Sequence, residues 1–261
     1  MSSARTRRPA TASLHDRAVQ RSLPAHQYMD RATVNWIAQN RPTPALAPVA
    51  FTLPQPGRRF VPESTWFADA RLADSIHGIR HQARVCLLAD LLAQHHQLSP
   101  DDAAALCLAA AVHDCRRHDD RDDSGHGQRT ASWLKRHSDT VLTTFGQELP
   151  TYSRDQAAAA VGLHDVPHET FTPSQRRAYQ QAPHLVDLHK AADALDRYRL
   201  PLQHWWPDLS RLRATVPDWL PTVAFELVVR SEHARLDGAT HRQALDDACQ
   251  LFTTPPKGAR L

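Results

Sequence analysis

The stretch at 99–114, SPDDAAALCLAAAVHD, constrains the fold of this chain more than any other. Ser99 is an N-cap, and Pro100 suits the first helical position, where an N–H is not needed. Asp101 and Asp102 meet the positive end of the helix dipole. The helix that starts there carries the apolar run LCLAAAV at 106–112 and must bury its Ala/Leu face. It then stops on His113-Asp114. A histidine and a carboxylate at the end of a buried helix are expensive unless they are paired or hold a metal ion. The pair alone decides nothing, because the chain has 17 histidines and also contains His15-Asp16, His118-Asp119 and His164-Asp165.

The rest of the chain supports a helical body. Eight Gly and four Tyr against abundant Ala, Leu, Arg and Gln favour helix over sheet. Helices are expected at 30–40 (capped by Asp30), 62–76, 77–96, 99–114, 126–137, 153–164, 184–199, 221–236 and 240–252, and no alternating strand stands out. The fold class expected is therefore all-α. Residues 1–60 read as a basic, Pro/Arg-rich, partly ordered extension, 61–255 as the helical domain and 256–261 as a tail. The extension holds nine Arg against Asp16 and Asp30, a balance of +7, while the remainder carries −4. Such an arm can bind nucleic acid, and its Arg and interleaved Pro suggest an element outside the helical bundle. The 106–112 run is far short of the roughly 20 residues a membrane span needs, and no secretion signal is visible near Met1. No C-x-x-C pair is present among Cys86, Cys107, Cys115 and Cys249. A cytoplasmic location with reduced thiols follows as the expectation.

Ligand-type side chains recur on the helices. In HGIRHQARV (77–85), His77 and His81 are four apart and share a helical face, with Arg80 and Arg84 beside them. In LVDLHKAADALDRYR (185–199), Asp193 sits in an Ala/Leu stripe and reads as more buried than Asp187 or Asp196. His126 opens one helix and His164 closes another. Arg116 and Arg117 follow the His-Asp pair, and a guanidinium matches phosphate oxygens in bidentate fashion. The run DDRDD (119–123) reads as a solvated loop.

Taken in order, HQARV, AAAVHD and KAADALDRY resemble the motifs of the HD superfamily of metal-dependent phosphohydrolases over roughly 75–200. The resemblance implies an HD-type helical bundle whose metal ligands are His81, His113, Asp114 and Asp193. His126 and His164 would add a second ion bridged by Asp114. The cofactor implied is one or two divalent ions (Mn, Fe, Co, Ni, Mg or Zn). The reaction implied is hydrolysis of a nucleotide or other small phosphate ester by metal-bound hydroxide. Asp114, His77, Arg80, Arg116 and Arg117 would act on the substrate. The same ligand set also resembles the di-iron oxygenases of the superfamily, and a non-catalytic module binding nucleotide or nucleic acid is the further alternative.

Overall fold

In the computed structural model the described residues are 12–42 and 53–253. They form ten α-helices with short 3-10 turns and no strand. The helices are α1 (Leu14–Val19), α2 (Arg31–Gln39), α3 (Ile79–His95), α4 (Pro100–Val112), α5 (His126–Thr144), α6 (Thr151–Leu163), α7 (Pro173–Gln181), α8 (Pro183–Leu195), α9 (Leu220–Leu236) and α10 (His241–Cys249). The all-α expectation holds.

α4 is the axis of the molecule. Ser99 Oγ accepts from the Asp102 N–H, and every residue from Ala103 to Val112 is buried. Small alanine side chains let α3, α6 and α8 approach α4 closely, and α3 and α6 in turn contact α8 and α5. α9 lies against α2, α3 and α10. Since α4 borders α3, α6 and α8, and α8 borders α3 and α6, their ends can deliver side chains to one point.

Several elements differ from the sequence expectation. The 62–76 stretch is two 3-10 turns, Ser64–Trp66 and Ala70–Asp74, separated by extended backbone at Phe67. The break lets Trp66, Phe67, Leu72 and Ile76 all enter the core, and the freed Ala68 N–H donates to Cys115 O at 2.8 Å. α3 begins only after Gly78, where a Cβ would stand 2.4 Å from Ala73 O. His77 is therefore outside the helix. α8 ends at Leu195 and tightens into a 3-10 turn over Asp196–Arg199. α1 and α7 had no expected counterpart, although each opens with a capping box, Ser13/Asp16 and Thr172/Gln175.

Residues 12–42, part of the stretch read as an extension, fold onto the bundle. Leu14, Val34 and Ile37 belong to the same hydrophobic core as α3 and α4, and Asp30 caps α2 while its other oxygen accepts from the Leu14 N–H. The tail expected at 256–261 lies outside the described residues. Ile37 is fully buried, so Ile37→Ala should destabilise the fold by about 2–5 kcal/mol. Removal of residues 1–40 should lower the thermal midpoint sharply, as followed by circular dichroism. An unchanged midpoint would show that α2 is dispensable to the core.

Candidate metal centre

The centre begins at the end of α4. His113 occupies the C-cap, fully buried, and its Nδ1 lies 2.8 Å from Ala110 O one turn back. A carbonyl oxygen can only accept, so Nδ1 carries the proton and Nε2 presents its lone pair inward. Opposite, on α3, His81 Nδ1 lies 2.8 Å from the Asp196 carboxylate. His81 Nε2 then faces His113 Nε2 at 3.0 Å.

Two carboxylate oxygens complete the group. Asp114 Oδ2 is 3.5 Å from His81 Nε2 and 3.7 Å from His113 Nε2. Asp193 Oδ1 is 3.4 Å and 3.8 Å from the same two atoms. Donors bound to one ion at 2.0–2.3 Å stand about 3.0–3.8 Å apart. All these separations fall in that range. In their neutral forms the two histidines offer lone pairs, and the carboxylates offer only acceptors. A cation among the four atoms is what makes their approach favourable. Burial, opposed by the Asp114 charge, pushes the His113 imidazole down to about 3, so it stays neutral. Burial alone would raise the carboxyls, but His113 outweighs it beside Asp114, helped by Arg117, and beside Asp193, helped by His81; both sit well below the usual range.

A second group shares Asp114. Its Oδ1 is 2.9 Å from His126 Nε2 and 3.4 Å from His164 Nε2, and those two nitrogens are 3.0 Å apart. His126 Nδ1 is directed at Asp123 O (2.6 Å) and His164 Nδ1 at Val161 O (2.7 Å), so both turn Nε2 toward Asp114 as well. Gly127 makes this possible: a Cβ there would stand 2.6 Å from Asp165 Oδ1 and 2.7 Å from Val161 O, so only glycine lets the start of α5 press onto the end of α6. His81, His113 and Asp114 form one buried set that could hold an ion, and Asp114, His126 and His164 form another.

Behind the ligands lies a buried ionic network. Arg84 donates to both Asp196 oxygens at 2.7 and 3.0 Å and to Glu232 Oε1 at 2.7 Å, and Arg80 donates to Glu232 Oε2 at 3.0 Å. The chain Glu232–Arg84–Asp196–His81 thus ties a ligand on α3 to α9. Asp196 and Arg84 were not among the residues expected at the site. Asp196, not Asp193, is the fully buried carboxylate of α8 and its turn; the Asp193 side chain is 29% exposed, whereas His81, His113 and Asp114 are at most 3% exposed. The opening of the centre is on the Asp193 side.

The arginines divide. Arg117 reaches the centre, with Nη1 3.3 Å from His126 Nε2 and 3.7 Å from Asp114 Oδ1. Arg80 does not: it is buried against Asp74 and Glu232, which fix its guanidinium away from the ligands. Arg116 donates to Trp66 O at 3.0 Å and points to the far side of α5. Arg199, unforeseen, is buried and donates to Ile76 O, with Nη1 3.7 Å from Asp196. His77 stands edge-on to His81 with ring centroids 5.8 Å apart, and its Nδ1 meets Asp120 Oδ1 at 2.9 Å. Asp120, placed in a solvated loop by the sequence, is buried and also accepts from Ser75 Oγ and the Gln27 N–H. His189, also unforeseen, fills the space between His113 and His164 at 5.1 and 5.4 Å. The signal for it was present, since it stands four residues before Asp193.

No known protein family, curated protein or solved structure matches the chain.

Asp196→Asn removes the negative charge and one of the two acceptor oxygens that serve His81 and Arg84, and should weaken metal binding about 10–100-fold. The same side chain carries an acid-stability signature. Burial would raise its carboxyl, but Arg84 outweighs burial and holds it down at about 2 against an ordinary 3.8. The stabilisation is full above the ordinary value and is lost as the pH falls through about 2. The variant's acid unfolding should accordingly be flatter over that window than the parent's, measured by fluorescence. Equal metal affinity in parent and variant would remove Asp196 from the centre.

Proposed function

We propose that this chain is a metal-dependent phosphohydrolase of HD type that acts on a nucleotide or another small phosphate ester. The observation that carries the reading is the bridging carboxylate: Asp114 turns one oxygen to His81 and His113 and the other to His126 and His164. Paired sites sharing a carboxylate suit in-line displacement at phosphorus.

Divalent ions at these sites would supply Lewis acidity and lower the pKa of bound water toward neutrality. The protein's own groups would do the rest. Arg117, beside Asp114, meets the phosphoryl oxygens of a substrate entering past Asp193. Arg199 adds positive charge from the His81 side. His77 is placed to act as a general base: burial holds its imidazole neutral, and Asp120 fixes Nδ1 as the donor, which leaves the Nε2 lone pair to take up a proton. Arg80 and Arg116 have no part in this scheme, because their guanidinia are engaged elsewhere.

The test is a screen of phosphomonoesters and phosphodiesters with the chain loaded in turn with manganese, cobalt, nickel, iron, zinc and magnesium. Turnover should require metal, and Asp114→Asn should reduce it by several orders of magnitude while the protein stays folded. Turnover only with iron and oxygen, without release of phosphate, would favour the oxygenase instead.

The two groups should also differ in pH response. Burial lowers the His126 pKa, but the Asp114 charge outweighs burial and raises it above the ordinary value, whereas His113 is far below it. Protons therefore compete with an ion at His126 as the pH falls through the histidine range, and not with one at His113. Metal content followed from pH 8 downward should fall in two steps, the second-group ion leaving first. Loss of all metal in one step would contradict this.

A further inference from the structure

Along α5 there is a cavity of about 320 Å³, and none of the residues lining it is among the metal ligands. Arg129, Ser132, Trp133 and Arg136 line it from α5, spaced three and four apart so that they share one helical face. Arg116 and His118, from the turn after α4, close the other side. No acidic side chain lines the cavity.

The three guanidinia are held differently. Arg129 is clamped by both oxygens of Asp123 and donates Nε to Arg116 O at 3.2 Å, so it is prepositioned. Arg116 gives one N–H to Trp66 O and has no carboxylate partner among the described residues. Arg136 has none either, and its side chain is exposed. Two uncompensated positive charges and a third, fixed one therefore converge on one concavity. Like charges gathered in one recess repel, and an anion between them reverses the sign. Guanidinium forks suit phosphate oxygens in bidentate geometry. The Trp133 ring is covered by His137, stacked at 5.2 Å, and lies against Trp66; it forms a wall and has no free face for a base. The cavity is at the small end of ligand sites.

We infer that this cavity is a second binding site, separate from the metal centre, for a small phosphate-bearing anion held by Arg116, Arg129 and Arg136. It takes one or two phosphoryl groups, and its ligand is recognised through phosphate, with no base stacked.

The probe is inorganic pyrophosphate, titrated calorimetrically into the full chain after metal removal with a chelator, so that binding at the metal ligands does not contribute. The metal-free parent should bind one equivalent. Arg136→Glu places a negative charge at an exposed position, leaves the fold intact, and should weaken binding about tenfold or more, the loss of one charge-assisted contact. Its metal uptake should match the parent's. Three results would overturn the inference: no pyrophosphate binding by metal-free protein, equal binding by Arg136→Glu, or tight binding of an oligonucleotide with none of pyrophosphate. None of these bears on whether the metal centre hydrolyses phosphate esters.

Discussion

Two imidazole nitrogens, His81 Nε2 and His113 Nε2, face each other across 3.0 Å at the middle of the bundle, and most of the structure exists to hold them there. Left neutral, they would repel each other and the two carboxylates beside them. Among the described residues no Lys or Arg sits among the four donor atoms. Instead each histidine is locked from behind, His113 by a carbonyl of its own helix and His81 by Asp196, which Arg84 grips with two hydrogen bonds. Buried ion pairs of this kind contribute little to net stability and much to geometry, since breaking one leaves an uncompensated charge. Here the network fixes the direction of a lone pair.

The packing serves the same end. The alanine-rich α4 lets α3, α6 and α8 converge, and the close approach enforced at Gly127 brings the start of α5 onto the end of α6. The ligands come from the first turns of α3 and α5, the ends of α4 and α6 and the last turn of α8, so the centre tests the registry of five elements at once. The cavity along α5 is tied to this architecture through one residue: Asp123 pins Arg129 through its carboxylate and accepts from His126 through its carbonyl.

How much of this was legible in the sequence follows from the kind of signal each part carries. α4 could be read because its cap, its proline, its acidic first turn and its apolar run agree. His81, His113, Asp114, His126, His164 and Asp193 could be picked out by order and framing, and the structure brings all six together. The choice between neighbouring residues was not legible. Asp193 and Asp196 are both set in apolar sequence, and only the tightening of α8 into a 3-10 turn sends Asp196 inward. Arg80 and Arg84 are one turn apart, and their partners, Asp74, Glu232 and Asp196, lie up to 152 residues away. The 62–76 region has helical composition, yet burying both Trp66 and Phe67 requires an extended residue between two turns. Arg116 and Arg117 are adjacent, so a helical-turn geometry sends them to opposite sides.

X-ray absorption at the metal edge of protein loaded with zinc or cobalt tests the central claim most directly. A metal centre built from these residues predicts a nitrogen and oxygen shell at about 2.0–2.3 Å, outer-shell scattering from at least two imidazoles, and no sulfur. Cys115, next in sequence to Asp114, is turned away toward Gln82 at 3.2 Å. Folded protein that takes up no ion, or a spectrum with a sulfur ligand and no imidazole scattering, would contradict the account.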